Sequence, residues 1–241
     1  MIYSSVHNEK IREIKDLNNK STRDEKGLFL VEGEHLIIEA YKKNILKEII
    51  VLDNYEIDVN VPKIVVTENV MKYISNLTTI SKIIGVCKKQ EHNKIGNKVL
   101  ILDNLQDPGN LGTIIRSSVA FNVDTIILSK DTVDIYNPKV IRASQGMIFN
   151  IDFIIDDLEK IIKNLKEKGY KIMATDVKNG KSLNMLANIP KVAIIMGNEG
   201  NGVSEKLKKL SDEFLYINIS KDCESLNVAV ATSIILYELS K

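Results

Sequence analysis

Three polar segments, the first two bearing glycine, each stand where an apolar run meets an amphipathic one: Asn110-Leu-Gly-Thr-Ile-Ile-Arg116, Ile195-Met-Gly-Asn-Glu-Gly200 and Glu224-Ser-Leu-Asn-Val228. Ligands of open, mostly parallel sheets bind outside the carboxyl ends of the strands, so three such corners are expected to converge on one pocket. In the first, Asp107 and Pro108 suit a helix start and Gly109 frees the backbone. Arg116 falls four residues beyond Gly112, on the same helical face. A guanidinium beside open backbone suits a phosphate, although the same residues also read as an ordinary capped helix with a surface arginine. In the second corner, Gly197-Asn-Glu-Gly-Asn-Gly202 surrounds one charge, Glu199, with exposed backbone groups, or else merely satisfies turn geometry. In the third, Ser225 reads as the N-cap of the last helix, and Asn227 in its first turn is not explained by capping.

Competing chemistries fit these residues less well. Gly109 and Gly112 lack the third glycine of a dinucleotide fingerprint, and no Gly-Lys-Ser/Thr marks a nucleotide-triphosphate loop. His7, His35 and His92 lie in none of the corners, which disfavours both a Ser-His-Asp triad and a histidine metal site. Cys223 has no histidine nearby in sequence to activate it. Asp103, Asp107 and Asp176 sit at strand ends without a visible pairing, and no metal is expected.

The elements that would position the corners form two groups. Ile11, Ile14 and Leu17 mark a helix over 11–19, followed by a polar loop. Strands are read at Leu28–Val31, Glu48–Leu52, Ile64–Val66 and Ile83–Cys87, with helices from Gly33 to Lys43 and from a Thr67 cap to Ser75. This makes a small α/β domain over 1–90, joined by a polar linker, 91–98, to a second domain over 99–241. There, strands at 99–102, 125–128, 170–174, 192–196 and 214–217, with part of 147–155, alternate with helices at 111–121, 138–143, 157–168, 203–210 and 225–239. Such alternation predicts a mostly parallel sheet with helices on both faces. The last helix is apolar on more than one face, so it is either deeply buried or part of a subunit interface.

The 241 residues are 44% hydrophobic, enough for a core without staples. The net charge of +1 provides no global basic field, so an RNA site has to be local. Lys82, Lys88, Lys89, Lys94 and Lys98 crowd a stretch whose only acid is Glu91, whereas Lys10, Arg12, Lys15, Lys20, Arg23 and Lys26 alternate with acids as in a solvated helix. Two distant cysteines, Cys87 and Cys223, suit a reducing cytoplasm. The first ten residues lack the pattern of an export signal, and no apolar run reaches the roughly 18 residues of a membrane span.

Four blocks in order resemble one family. They are Leu102-Asp-Asn-Leu-Gln-Asp-Pro-Gly-Asn-Leu-Gly-Thr-Ile-Ile-Arg116, Tyr136-Asn-Pro-Lys-Val-Ile-Arg-Ala-Ser144, Met196-Gly-Asn-Glu-Gly-Asn-Gly202 and Glu224-Ser-Leu-Asn-Val-Ala-Val230. Together they resemble the SpoU (TrmH-type) RNA ribose 2′-O-methyltransferases of the SPOUT superfamily over nearly all of 99–241. The first 90 residues resemble, more loosely, the small RNA-substrate-binding domain that often precedes it, best at Leu28-Phe-Leu-Val-Glu-Gly-Glu34. The resemblance implies methyl transfer from S-adenosylmethionine to a ribose 2′-hydroxyl, a homodimer, and a deep trefoil knot, an exception to the usual rule against threaded loops. It favours ribosomal over transfer RNA, because such added domains are common on the ribosomal members.

By motif position Asn110, Arg116, Glu199, Ser225 and Asn227 form the catalytic and RNA-facing set. Gly197, Ile217 and Leu226 line the cofactor pocket, with Thr175, Asn198 and Asn218 nearby. A guanidinium holds its proton too tightly to act as base at neutral pH, so Arg116 is expected to clamp phosphate and stabilise the emerging alkoxide. The resemblance departs at Ile217-Asn-Ile-Ser-Lys221, where Asn218 and Lys221 replace the family's proline and glycine. The rival readings are a non-catalytic RNA-binding protein that keeps the knotted fold, and a transfer-RNA ribose methyltransferase.

Overall fold

The computed structural model describes residues 2–176, 180–186 and 189–241. Contacts divide the chain into two compact units, Met1–Glu91 with Asp134–Phe149, and His92–Val133 with Asn150–Lys241.

The first unit runs β1 (Ile2–Tyr3), α1 (Glu9–Asp16), α2 (Lys20–Lys26), β2 (Leu28–Glu32), α3 (Glu34–Lys42), β3 (Leu46–Leu52), β4 (Lys63–Val66), α4 (Glu68–Ile74) and β5 (Ile83–Lys88). Its sheet has the order β1-β4-β3-β5-β2, with β5 antiparallel to both neighbours and the other pairs parallel. Ile11, Ile14 and Leu17 bury against Ile50, Val70, Met71 and Ile84, as their three-residue spacing requires. The polar stretch after α1 is a helix, not the loop its composition suggests. The inward-facing residue of α2 is a cation: Arg23 is 4% exposed, donates to the carbonyls of Leu17 and Asn18, and pairs with Asp134 at 2.6 Å. Thr67 does precede α4, but its hydroxyl makes no capping bond and is buried without a partner among the described residues.

In the second unit come β6 (Lys98–Leu102), α5 (Pro108–Ala120) and β7 (Thr125–Leu128). The chain then contributes α6 (Pro138–Ser144) and a short 3-10 turn to the first unit. It continues with β8 (Asp152–Ile155), α7 (Leu158–Glu167), β9 (Lys171–Thr175), β10 (Val192–Met196), α8 (Glu205–Leu210), β11 (Glu213–Leu215) and α9 (Val228–Leu239). These strands form one sheet of order β11-β9-β10-β6-β7-β8, parallel throughout. The strand order reverses between β6 and β10, the kind of switch point where diverging connections leave a crevice. Apart from Lys98 at the start of β6, both strands are apolar on both faces and buried, so polar chemistry has to come from the loops that follow their carboxyl ends.

Candidate functional site

At the switch point the loops after β6 and β10 are stitched together. The Asp103 N–H donates to the Met196 carbonyl at 2.9 Å, the Asp103 carboxylate accepts from the Ser204 N–H at 2.8 Å, and the Asn198 amide donates to the Asn104 carbonyl at 2.8 Å. Asp107 caps α5, its carboxylate accepting from the Asn110 N–H at 2.7 Å, with Pro108 in the first turn. Asp103 and Asp107 are thus held by backbone donors, and among the described residues no three metal-ligating side chains cluster.

The three corners meet through side chains. The Asn227 amide donates to Asn110 Oδ1 at 3.0 Å, and the Asn110 amide donates to Glu199 Oε1 at 3.1 Å. Glu199 also accepts from the backbone N–H groups of Asp107 at 3.2 Å and Gln106 at 3.4 Å. Partial burial pushes its carboxyl upward, but these bonds, together with one from its own backbone, outweigh that and hold it below the ordinary carboxylate range. Glu199 is therefore an ionised anchor for the start of α5, suited to positioning Asn110 and unsuited to taking a proton.

Asn227, not Ser225, is the N-cap of α9, and its Oδ1 accepts from the N–H groups of Ala229 at 2.9 Å and Val230 at 3.4 Å. The capping expectation for Ser225 is thereby corrected. Ser225 and Asn227 both line a cavity of about 850 Å³ outside the carboxyl ends of β9, β10 and β11. Thr175, Gly197, Asn198, Glu199, Ile217 and Leu226 line it too. Asn218 is exposed and outside the lining, and so is Arg116, which has no hydrogen bond or ion pair among the described residues. Asn110 reaches the cavity only through Glu199 and Asn227. Gly112 is buried in α5, so it is not the open backbone expected beside Arg116. Lys208, Ile219 and Ile235 also line the cavity, and no motif had marked them; Glu224, which opens the third segment but was given no role, lines it too. Lys208 lies within an ordinary-looking amphipathic helix.

A nucleoside bearing an amino-acid tail fits this lining. Met196, Ile217, Ile219 and Leu226 supply an apolar wall, while Gly200 and Gly202 leave backbone bare, with open space where a Cβ would sit at Gly202. The volume falls within the range of small-molecule sites.

Residues 97–237 match the model of the SpoU rRNA Methylase family, and residues 8–85 match that of an MRM3-like substrate binding domain. Across 98% of this chain and 97% of its own length, a 23S rRNA (guanosine(2553)-2′-O)-methyltransferase, RlmP, from Bacillus subtilis is 36% identical. The chain belongs to the SpoU rRNA methylase family. The AdoMet-bound rRNA methyltransferase from Sinorhizobium meliloti superposes with a TM-score of 0.87 at 27% identity, covering 99% of this chain and 97% of that one. At 21% identity the SpoU methyltransferase AviRb from Streptomyces viridochromogenes shares the fold, with a TM-score of 0.85 over 97% of each chain. As a SpoU family member the chain is an S-adenosylmethionine-dependent RNA methyltransferase.

In this SpoU methylase, Asn227→Ala removes a helix cap and the tie to Asn110 together. It is expected to cost about 1 kcal/mol, read as a fall of about 2 to 4 °C in Tm. Asn227→Asp keeps the capping oxygen but sets an acceptor against Asn110 Oδ1, so it should recover the stability and not the turnover. Full turnover in Asn227→Asp would show that the tie is dispensable.

Proposed function

We propose that this protein methylates a ribose 2′-hydroxyl in 23S ribosomal RNA. The hydrogen-bonded run Asn227–Asn110–Glu199, joining three separated corners beside one cavity, carries this reading. The name of the Bacillus subtilis relative and the match to a substrate binding domain support the choice of ribosomal RNA.

Bound in the cavity, S-adenosylmethionine supplies an electrophilic methyl group on a positively charged sulfur. Thr175, Gly197, Asn198, Ile217 and Leu226 hold it through backbone and apolar contacts, with Asn218 at the edge of that loop. The apolar wall disfavours a charge that the transfer removes. Asn110, Ser225 and Asn227 orient the attacking ribose oxygen, Glu199 fixes Asn110, and Arg116 grips phosphate and stabilises the developing alkoxide. The proton leaves to a neighbouring phosphate or water.

Three further features belong to the same proposal. The chain works as a homodimer, supported by the exposed apolar residues Val230 and Tyr237 on α9, which are 49% and 52% exposed. Residues 1–90 form the RNA-binding domain, whose compact unit also takes in 134–149, 91–98 the linker and 99–241 the methyltransferase domain with its trefoil knot. The protein acts in the cytoplasm, where ribosomal RNA is modified; no described helix is long and apolar enough to cross a membrane.

Two measurements test this together. Calorimetry with S-adenosylmethionine should show saturable heat, and mapping of 2′-O-methyl groups in 23S RNA from cells with and without the gene should show the loss of one site. No heat and an unchanged map would leave an RNA-binding protein without catalysis.

A further inference from the structure

Within the first unit α6, the 75–77 turn after α4 and the end of β2 enclose a second, smaller cavity of about 290 Å³. Leu30, Leu36, Leu77 and Ile141 form apolar walls around it. Glu32 lies in the lining with its carboxylate fixed: one oxygen accepts from the Ser75 hydroxyl at 2.6 Å and the other from the Asn76 N–H at 2.8 Å. Each oxygen keeps a lone pair for a ligand. Lys139 and Arg142 also line the cavity, are exposed, and have no side-chain hydrogen bond or ion pair among the described residues.

We propose that this cavity takes one unpaired guanosine nucleotide of the RNA substrate, its base edge on Glu32 and its phosphate on Lys139 and Arg142. A fixed carboxylate accepts only, so the ligand has to present donors, and guanine carries two side by side on its Watson–Crick edge. Two unpaired cations beside the same cavity call for an anion, yet a bare anion would be repelled by Glu32. A nucleotide satisfies both demands at once, and an apolar slot of this size suits one base removed from its stack. The cavity lies outside the methyl-donor site, so it serves recognition, and the proposal rests on the RNA methyltransferase reading.

The probe is a set of short oligo(A) RNAs with a single central G, inosine or U, bound to the full-length protein at several salt concentrations. The G oligomer should bind about ten-fold more tightly than the U oligomer, in the range of one good base contact, with inosine between them. Glu32→Gln should remove most of that preference. Arg142→Ala and Lys139→Ala should weaken all three oligomers alike and each lower the salt slope by about one, without changing S-adenosylmethionine affinity. Arg142 is exposed, so its variant remains informative even if Glu32→Gln disturbs the 75–77 turn. Equal binding of G and U by the wild type, or unchanged affinity in Arg142→Ala, overturns the proposal while rRNA methylation stands. A wild type that methylates no rRNA instead overturns the function on which it rests.

Discussion

Replacing Arg116 with alanine should lower methyl transfer to RNA by about 10² to 10³-fold, the usual effect of losing one preorganised charge donor, while S-adenosylmethionine affinity stays within a few-fold. The geometry separates these two effects. Arg116 lies six residues beyond Asn110, about 120° away around α5, and it is outside the lining of the methyl-donor cavity. Asn110 and Ser117 share the face that meets α9, where Ser117 bonds Ser233 at 2.7 Å. Arg116 is left exposed and unpaired among the described residues. If the homodimer proposed above forms through α9, against which α5 packs, Arg116 is expected to act on the RNA bound at the other subunit's cavity. Mixing Arg116→Ala protomers with protomers whose cavity is disabled should then recover activity that neither parent has. A large loss of cofactor affinity in Arg116→Ala would place the residue in the donor site instead, and no recovery on mixing would confine its action to its own subunit.

Convergence of the corners was legible in the sequence because polar loops after apolar parallel strands have only one end of the sheet to occupy. The roles within the corners were less so. Ser225 and Asn227 are both good capping types, and the choice between them rests on the Asn227–Asn110 bond, which spans 117 positions. Glu199 read as a lone charge in a loop, yet its partners are backbone N–H groups 92 and 93 positions away. Arg116 was placed by its spacing from Gly112 and by motif position, Asn218 by motif position alone; neither signal speaks of exposure, and neither residue reaches the cavity lining.

Much of the fold follows from periodicity, and its exceptions lie where no local apolar pattern exists to be read. The second helix was hidden because its buried residue is Arg23, a cation that no apolar pattern can mark. Strand β1 is two residues long, too short to carry a period. The grouping of 134–149 with the first unit depends on pairs remote in sequence. Arg23 binds Asp134, and Phe29 packs on Tyr136 at 4.7 Å and on Phe149 at 6.1 Å between ring centroids. Locally, those residues resemble any βα connection.

Gly197→Ala should disable the donor site outright. A Cβ at Gly197 would lie 2.0 Å from the Gly202 carbonyl carbon and 2.1 Å from the Val203 nitrogen, and these are backbone atoms with no rotamer to change. They cannot retreat cheaply, because Asn198 and Gly202 exchange N–H to carbonyl bonds of 3.0 and 2.9 Å that pinch the loop shut over Gly197. Opening the pinch moves Glu199, and Glu199 holds both the start of α5 and the Asn110 amide. A displacement of about 1 Å at a catalytic constellation is enough for a 10²-fold loss, so turnover should fall at least that far, with weakened S-adenosylmethionine binding. Overpacking of this kind costs about 1 to 3 kcal/mol, enough to lower Tm measurably. Gly200→Ala is the control for stability, since its Cβ meets only Asn198 Oδ1 at 3.5 Å, and its Tm should match the wild type. If Gly197→Ala keeps both Tm and cofactor affinity, the loop has another way to close, and the coupling from β10 through Glu199 to Asn110 is not what shapes the site.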